Sequence, residues 1–239
     1  MSSPYGLDII ESCVTCKSRT ERLFCNLSAS ALQAFEAIRF ATSYPAGSVL
    51  FLEGQAPRGI SVLCKGRVKL STCSRDGKSL ILKIADPGEV LGLSATISGK
   101  PYALTAESLE PCQVNFVKRE DFLRFLREHN DACFRAAQEL SDKYVAACRG
   151  FRSLGLSHSA TEKLSRLLLE CSSRNDQGDK QQPRLKLGFT HEEIGEMIGT
   201  SRETVTRLLA ELKKRQIVQV KGATLLICNR AALEGLAAA

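Results

Sequence analysis

Apolar and polar residues alternate differently in successive parts of the chain, and the differences predict its elements. From Tyr44 to about Val117, short apolar runs alternate with Gly, Pro and Asp-Gly signals, as in VLFLEG, SLILKIA and CQVNFV. Runs bounded by turns in this way predict the strands of an all-β unit, and the spaced glycines fit a small barrel or jelly roll. Residues 28–42 and 119–154 instead repeat apolar side chains at helical spacing, which predicts helices on either side of the β unit.

The longer helix predicted from about Ala132 carries an apolar seam. Its members recur at intervals of three and four residues, at Ala137, Leu140, Tyr144, Ala147, Phe151 and Leu154. A heptad seam of this kind is typical of a helix that pairs with a second helix. Packing of the same seam on the β unit of its own chain is the alternative interpretation.

Residues 189–215, FTHEEIGEMIGTSRETVTRLLAELKKR, predict two helices separated by a tight break. Thr190 and Glu193 form the pattern of a capping box at the start of the first helix, and Gly199 suits the left-handed conformation that ends a helix. The apolar stripe of the second helix is Val205, Leu208, Leu209 and Leu212. A short helix, a turn with Gly and a longer helix together predict a helix-turn-helix motif.

The exposed residues of the second helix, which begins at Thr200 or Ser201, suit DNA recognition. In helix-turn-helix motifs the N-terminal residues of this helix meet base edges in the major groove, where Arg can bond guanine and Glu can accept a hydrogen bond from cytosine. Behind the motif, residues 217–229 predict a two-stranded wing. The candidate DNA-binding residues are Thr190, Ser201, Arg202, Glu203, Thr206, Arg207 and, in the wing, Lys221. A helical hairpin with a solvated charged face is the alternative.

Composition and charge narrow the possible functions. The chain has 239 residues, enough for two modest domains, and a net charge of +7, which suits an anionic partner such as DNA. No apolar run is long enough to span a bilayer, and the N-terminus lacks the basic start and apolar core of a secretory signal, so we expect a cytoplasmic protein without membrane contact. The three His residues and the lack of a nucleophile–base pair or phosphate loop argue against an enzyme.

Ten cysteines are many for the reducing cytosol, where disulfides are rare. Cys13, Cys16 and Cys25 form a C-x2-C-x8-C run, and clustered thiolates are ligands for iron–sulfur clusters and zinc. We expect the Lys and Arg residues between them to lower the thiol pKa values. A dithiol–disulfide switch, ordinary side chains on a flexible arm and, remotely, a redox enzyme using C-x2-C are the alternatives. Four further cysteines are predicted to lie in the core: Cys133, Cys148, Cys171 and Cys228.

Several of these stretches resemble the CRP/FNR family of bacterial transcription regulators. GTSRETVTRLL resembles the recognition helix of the family, and PAGSVLFLEGQ, GRVKLS and PGEVLGLSA resemble its β-roll sensor domain. The resemblance implies an α+β fold with an N-terminal cyclic-nucleotide-binding-like β-roll sensor domain, a long dimerisation helix and a C-terminal winged helix-turn-helix domain. The corresponding ranges are 1–27 for the cysteine-containing segment, 28–130 for the sensor domain, 131–155 for the dimerisation helix and 156–239 for the DNA-binding domain.

The resemblance also implies how DNA is read. In the family, the Glu and the later Arg of the recognition helix read the G·C pair of a conserved GA step, and the first Arg reads an earlier guanine. These roles fall on Glu203, Arg207 and Arg202 respectively. The implied partners are double-stranded DNA with a palindromic site whose half-sites carry a GTGA-like or TTGA-like core, a second copy of the chain joined along the seam as a homodimer, and RNA polymerase.

For the sensor, the resemblance is to the FNR-like branch that detects oxygen. There a Cys at the place of Cys112 is the fourth ligand of a [4Fe–4S] cluster, beside three N-terminal ones. This implies the ligand set Cys13, Cys16, Cys25 and Cys112. FNR itself has five residues between its second and third N-terminal Cys, and this chain has eight. Cys64 and Cys73 are rival fourth ligands from neighbouring strands, and burial as a small hydrophobe is the alternative for Cys112.

Cyclic AMP is not expected to bind. In cyclic-nucleotide members of the family, the segment after a Gly-Glu pair supplies an Arg and a Ser that hold the cyclic phosphate. Here the stretch that follows Gly88-Glu89 includes KPYALTAES, which has no Arg-Ser pair. Without that Arg a cyclic phosphate lacks its bidentate charged contact. A regulator that responds to another ligand without a cluster, or that uses its cysteines as a zinc site, is the alternative.

Overall fold

The computed structural model describes residues 4–156, 159–174, 184–186, 189–221 and 224–238. The chain divides into two compact units, Met1–Ala147 and Cys148–Ala239. The first unit carries the N-terminal segment and the β-rich part of the chain, and the second carries the helix-turn-helix. Within the described residues, no helix combines the length and the apolar character needed to cross a membrane.

The first unit is a β-roll flanked by helices. Its helices are α1 (Ala29–Ile38), α2 (Leu93–Ser98), α3 (Arg119–Glu128) and α4 (Asn130–Leu156), which continues into the second unit. Its strands are β1 (Phe40–Tyr44), β2 (Val49–Phe51), β3 (Gly59–Lys65), β4 (Val68–Cys73), β5 (Ser79–Ala85), β6 (Val90–Leu91), β7 (Thr105–Ser108) and β8 (Cys112–Lys118). They pair antiparallel into sheets ordered β1-β8-β3-β6 and β2-β7-β4-β5. The predicted all-β unit is thereby confirmed.

Two apolar clusters stabilise the first unit, one on each face of the sheet that contains β3 and β8. The inner cluster lies between the two sheets and includes Leu63, Val68, Ala106, Cys112 and Val114. The outer cluster joins β3 to the N-terminal segment and to α1, α3 and α4, and its aromatic members are Phe24, Phe35, Phe122 and Phe125. Because side chains alternate along a strand, Val62 packs in the outer cluster and Leu63 packs in the inner one.

Helix α4 presents different faces to its own unit and to solvent. Ala132, Ala136 and Glu139 are buried, and Leu140 packs partly against the outer cluster. The remaining seam residues in the described part are exposed, namely Ala137, Tyr144, Ala147 and Phe151. The side chain of Leu154 lies outside the described residues. Packing of the whole seam on the β unit, the alternative interpretation, is therefore wrong for the four exposed residues.

The second unit packs helices against a small antiparallel sheet. Its elements are α5 (Ala160–Arg174), β9 (Arg184–Lys186), α6 (His191–Ile198), α7 (Arg202–Lys214), β10 (Val218–Lys221), β11 (Thr224–Ile227) and α8 (Arg230–Ala237). The sheet has the order β10-β11-β9. Its core includes Leu164, Leu168, Ile194, Leu208, Leu212 and Leu225. Helices α6 and α7 are the predicted helix-turn-helix, with the β10–β11 hairpin following as the predicted wing.

Candidate nucleic-acid interface and thiol-lined cavity

The first helix of the motif begins at a complete capping box. The Thr190 hydroxyl accepts a hydrogen bond from the Glu193 backbone N–H at 3.1 Å, and the Glu193 carboxylate accepts one from the Thr190 backbone N–H at 2.7 Å. These bonds satisfy N–H groups that a helix start leaves without partners. The helix ends at Gly199, whose φ of 68° lies in the left-handed region. Both ends of α6 therefore match the prediction.

A close approach within the motif depends on a glycine that sequence reasoning missed. A Cβ atom on Gly195 would lie 2.7 Å from the backbone oxygen of Thr200, so a side chain there would push the turn away from α6. Gly195 is buried, one helical turn before Gly199. A glycine inside an otherwise helical pattern was the available signal, because such a glycine costs helix stability unless packing requires it.

The second helix places the candidate base-reading residues on its exposed side. The Ser201 hydroxyl caps α7 by accepting a hydrogen bond from the Thr204 backbone N–H at 3.2 Å. The predicted apolar stripe is buried: Val205, Leu208, Leu209 and Leu212. The exposed residues of its first turns are Arg202, Glu203, Thr206 and Arg207. The short N-terminal part of α7 therefore presents two cations and one carboxylate to solvent.

The charge of Glu203 suits an acceptor role. A backbone N–H at the start of the helix, the Ser201 hydroxyl and then Arg202 lower the pKa of the Glu203 carboxyl below its ordinary value. The side chain is fully exposed, so solvent screens these interactions, but their direction keeps the group ionised at neutral pH. An ionised carboxylate can only accept hydrogen bonds, which is the property that pairing with a cytosine amino group requires.

Thr206 is engaged by neighbours within the motif. Its hydroxyl donates to the Arg202 backbone oxygen at 2.9 Å and lies 2.9 Å from Nδ1 of His191. His191 was not among the predicted site residues, and no local pattern links positions fifteen residues apart on two different helices.

The wing is described only in part. Lys221 is the last residue of β10 and pairs with Thr224 across the hairpin. Its side chain and the intervening residues 222 and 223 lie outside the described part of the chain. The predicted phosphate contact of Lys221 stays a prediction.

In the first unit, four cysteines line one cavity beside the β-roll. They are Cys13, Cys16 and Cys25 from the N-terminal segment and Cys64 from β3. The enclosed cavity is small, about 20 Å³. Arg19, Arg22 and Asn115 contribute polar side chains to its wall, and Phe24 and Phe35 are among the apolar ones.

Contacts with β8 and α1 hold the N-terminal segment in place, in contrast to the flexible arm considered as an alternative. The Gln113 side chain both accepts from the Ile10 backbone N–H at 2.8 Å and donates to the Ile10 backbone oxygen at 2.7 Å. Asn115 donates to the Cys13 sulfur at 3.2 Å. Phe24 is only 1% exposed within the outer cluster. Contacts between protein groups alone therefore pack the segment on the roll.

Burial dominates the acidity of these thiols. It raises the pKa of Cys25 and of Cys64 to about 12 each, and it raises the pKa of Cys13. Arg22 works against burial by favouring lower pKa values for Cys25 and Cys64, and Arg39 does the same for Cys13. For Cys13 and Cys25 the expectation that nearby cations lower the thiol pKa values is thus wrong in net direction, because desolvation disfavours the charged form more strongly than the cations favour it.

The structure places Cys112 apart from the other predicted ligands. It is fully buried in the inner cluster between the sheets, and it is not among the described residues that line the cavity. Burial raises its pKa to about 11. The rival Cys73 is exposed at the end of β4. As the described side chains stand, no group of three His, Cys, Asp or Glu residues is placed to hold a single metal ion.

Three of the remaining four cysteines do not lie in the core as predicted, since Cys133, Cys148 and Cys228 are exposed. Cys171 is half-buried and packs against the core of the second unit. Apolar spacing suggested core positions, but each of the three exposed residues lies on a face that its own unit leaves uncovered. These thiols are therefore useful exposed references for the buried ones.

Two family models match the chain in the expected order. Residues 41–129 match the cyclic nucleotide-binding domain, and residues 162–236 match the Crp-like helix-turn-helix domain. The matched ranges coincide with the β-roll and with most of the second unit. Together they account for most of the chain.

Relatives and solved structures agree with this order of domains. The chain is 23% identical over 185 residues to the cAMP-activated global transcriptional regulator CRP of Pasteurella multocida, covering 77% of this chain and 88% of that protein. It is 25% identical over 227 residues to the nitrogen fixation regulation protein FixK of Bradyrhizobium diazoefficiens, covering 95% and 94%. The structure of FixK2 from Bradyrhizobium japonicum has the same fold, with a TM-score of 0.73, 24% identity and coverage of 84% of this chain and 98% of that chain.

These relatives are transcriptional regulators, which confirms the prediction of a regulator rather than an enzyme. The β-roll, the long helix and the helix-turn-helix follow one another along the chain as in the matched domains. The protein therefore belongs to the CRP/FNR family of DNA-binding transcriptional regulators.

Proposed function

We propose that this regulator senses oxygen, nitric oxide or redox state through a cysteine-ligated [4Fe–4S] cluster. The observation that carries the proposal is the convergence of the N-terminal thiols Cys13, Cys16 and Cys25 on one cavity beside the β-roll. A [4Fe–4S] cluster takes four Cys thiolates, and these bind different iron atoms. Its ligands therefore surround a cavity instead of meeting at one point.

The side chains around the cavity fit a group that is rich in sulfur. Arg19 and Arg22 line the cavity, and the guanidinium of Arg39 acts on the Cys13 thiol, so cations lie near the thiols that would hold an anionic cluster. Asn115 already donates to Cys13 and so orients that thiol toward the cavity.

The thiols must lose their protons to serve as ligands. The raised pKa values of Cys13 and Cys25 keep these two thiols protonated at neutral pH in the absence of metal, so ligation releases protons, as is general for Cys sites. Arg22 and Arg39 offset part of the negative charge that the thiolates bring. When bound, the cluster supplies a centre that reacts with oxygen and nitric oxide.

On the DNA side, the exposed start of α7 supports sequence-specific binding. We propose that Arg207 and Glu203 read the GA step of each half-site and that Arg202 reads the preceding guanine. An Arg bonds the two guanine acceptors and a Glu accepts from cytosine, and all three side chains are exposed. Thr206 lies on the same exposed side of α7 as these three residues. Thr190, Ser201 and Lys221 are proposed to contact the sugar-phosphate backbone of the DNA. RNA polymerase is the proposed partner at the promoter.

A homodimer joined along α4 is proposed to carry this readout. The apolar side chains of Tyr144 and Phe151 are 71% and 76% exposed in the single chain, so a second copy of the helix can cover them. A two-fold axis along the seam would bring two recognition helices to successive major grooves about 34 Å apart. This arrangement requires a pseudo-palindromic site.

The first unit offers a route from the thiols to α4. The Glu139 carboxylate of α4 acts on the Cys25 thiol, accepts from the Val90 backbone N–H at 3.4 Å and pairs with Lys143 at 3.3 Å. A change of charge or position at Cys25 therefore alters the surroundings of Glu139, a buried group on the dimerisation helix. We propose that loss of the cluster weakens the dimer and releases DNA through the electrostatic interaction between Cys25 and Glu139.

The test is to purify the full chain without oxygen, measure iron, sulfide and the visible spectrum, and then measure DNA affinity before and after exposure to air. Iron and sulfide in equal amounts, and at least a tenfold loss of affinity after exposure, are expected. Zinc in place of iron, or a metal-free protein whose affinity changes only with a disulfide, would overturn the cluster proposal in favour of one of the alternatives.

A further inference from the structure

The fourth thiol of the cavity belongs to Cys64, one of the two rivals to Cys112 that the sequence offered. Cys64 lies near the end of β3 and is 5% exposed, and it lines the cavity together with Cys13, Cys16 and Cys25. Burial raises the pKa of Cys64 to about 12, so its thiol is neutral at neutral pH while no metal is bound. Arg22 lines the cavity as well.

Strand alternation places Cys64 on the cavity side of β3, the side of Val62, which lines the same cavity, while Leu63 between them faces the inner cluster. The pairing of β3 with β8 is regular up to Leu63 opposite Val114 and resumes at Lys65 opposite Gln113, so Cys64 is the extra residue. An extra residue of this kind is left unpaired, and bulges are common beside functional sites. The bulge therefore lies beside the cavity, at the residue whose thiol lines it.

The pleat of β8 keeps Cys112 on the opposite face. Gln113 bonds the backbone of Ile10, and Asn115 bonds the Cys13 sulfur, so these residues face the N-terminal segment. Side chains on a strand alternate between its faces, and Cys112 and Val114 accordingly lie in the inner cluster. A shift of register by one residue would be needed to exchange them, and it would expose the inner cluster.

We infer that Cys64, and not Cys112, supplies the fourth thiolate to the site formed by Cys13, Cys16 and Cys25. The inference rests on the proposed function, because it names a ligand of the proposed cluster. It assigns to Cys112 the role of a small buried side chain between the sheets. It also ties the N-terminal segment to β3, the strand at the centre of its sheet beside β8 and β6.

The test compares Cys64→Ala with Cys112→Ala in the full chain, purified without oxygen. Both variants remove a buried thiol, and alanine leaves no hydroxyl to replace the sulfur as ligand. Cys16→Ala is the positive control and the exposed Cys228→Ala the negative one. We expect Cys64→Ala and Cys16→Ala to lose at least about a quarter of their iron and the spectrum of the intact cluster, since one ligand of four is missing. Cys112→Ala should keep the wild-type iron content.

The wild-type protein separates the two proposals. If it contains no iron and sulfide, the proposed function itself fails. If it contains both and Cys64→Ala retains all of its iron, only the assignment of Cys64 is overturned, and loss of iron in Cys112→Ala alone would restore the ligand implied by the family.

A second measurement needs no variant, in case Cys64→Ala does not fold. Cys64 also borders a more open cavity, lined in part by Tyr5, Lys65 and Pro87, through which a small alkylating reagent can reach it. Removal of iron should raise the alkylation of Cys64 several-fold, together with that of Cys25, and leave Cys112 unchanged. Equal alkylation of Cys64 with and without iron would contradict its role as a ligand.

Discussion

The recognition helix and the thiol-lined cavity assemble their side chains in opposite ways. The helix takes its candidate base-reading residues from six consecutive positions, 202–207, whereas the cavity takes its thiols from positions 13 to 64 and two orienting side chains from β8. On a helix, spacing along the chain decides which residues share a face. At the cavity, the register between strands decides it. Sites of the second kind therefore depend on contacts that are distant in sequence.

The dimer seam is a local pattern like that of the recognition helix, so it should fail when a single position changes. Tyr144→Glu or Phe151→Glu would place a charge against its symmetry mate in the proposed interface. An uncompensated buried charge costs about 3–5 kcal/mol, so sedimentation should show monomer at concentrations where the wild type is dimeric. Both residues are exposed in the single chain, so the fold itself should be unaffected.

Val145→Glu is the matched control for the seam. Val145 is also an exposed apolar residue of α4, 43% exposed, but it lies outside the heptad positions. It should leave the dimer intact. Leu140 is a poorer probe, because it packs partly against the outer cluster and a charge there would damage the first unit as well. A dimer that survives both Tyr144→Glu and Phe151→Glu would place the interface elsewhere.

The compactness of the helix-turn-helix can be tested at Gly195. In Gly195→Ala the new Cβ would lie 2.7 Å from the Thr200 backbone oxygen, and overpacking of this kind costs about 1–3 kcal/mol. Thermal unfolding should show the loss in the second unit. Gly235→Ala in α8 is the control, since no atom lies within 4 Å of its Cβ position, and it should stabilise the same unit by about 0.5–1 kcal/mol. Equal effects of the two substitutions would contradict the close approach.

The sequence correctly predicted the features that depend on interactions within a few residues along the chain. The capping box at Thr190, the stop at Gly199 and the buried stripe of α7 follow from propensities and spacing that act within a few residues. The strands of the β-roll were identified in the same way, from short apolar runs between turns. Hydrogen bonds and burial in the structure agree with each of these features.

The sequence named Cys64 and Cys73 as rivals to Cys112 for the fourth thiol but could not choose among them, for a physical reason. Alternate residues of β8 face opposite sides of the sheet. The register in which β8 pairs with β3 decides whether Cys112 or its neighbours Gln113 and Asn115 face the N-terminal segment. Gln113 and Asn115 are polar yet 1% and 2% exposed, so polarity gives the wrong face. The bulge at Cys64 likewise depends on pairing with a strand fifty residues away. The thiol pKa values were misjudged because burial cannot be deduced from nearby charges in the sequence.

Arg207→Ala tests the readout at one position of the recognition helix. Loss of a bidentate contact to guanine should cost about 1–3 kcal/mol on the preferred site and relax selectivity at a single base pair. Lys213→Ala, an exposed cation in the last turn of α7, is the control and should weaken binding by a smaller amount without altering selectivity. If Arg207→Ala lost the same affinity on every sequence, Arg207 would contact phosphate and the proposed readout would be wrong.

The smallest expected effect concerns cyclic AMP. The sequence KPYALTAES lacks the Arg that would hold a cyclic phosphate, and this stretch turns Tyr102 inward, where its hydroxyl donates to the Gly59 backbone oxygen at 2.9 Å and its ring stacks on Phe51 at 4.1 Å. A ligand at about 100 times its Kd stabilises a fold by about 2.7 kcal/mol, which a thermal shift readily detects. We expect no shift with cyclic AMP, and a cAMP-activated CRP serves as the positive control. A saturable rise in the unfolding temperature of the first unit would show that the roll has kept nucleotide binding without the expected Arg, and that its site, like the thiol cavity, is built from residues that local patterns do not identify.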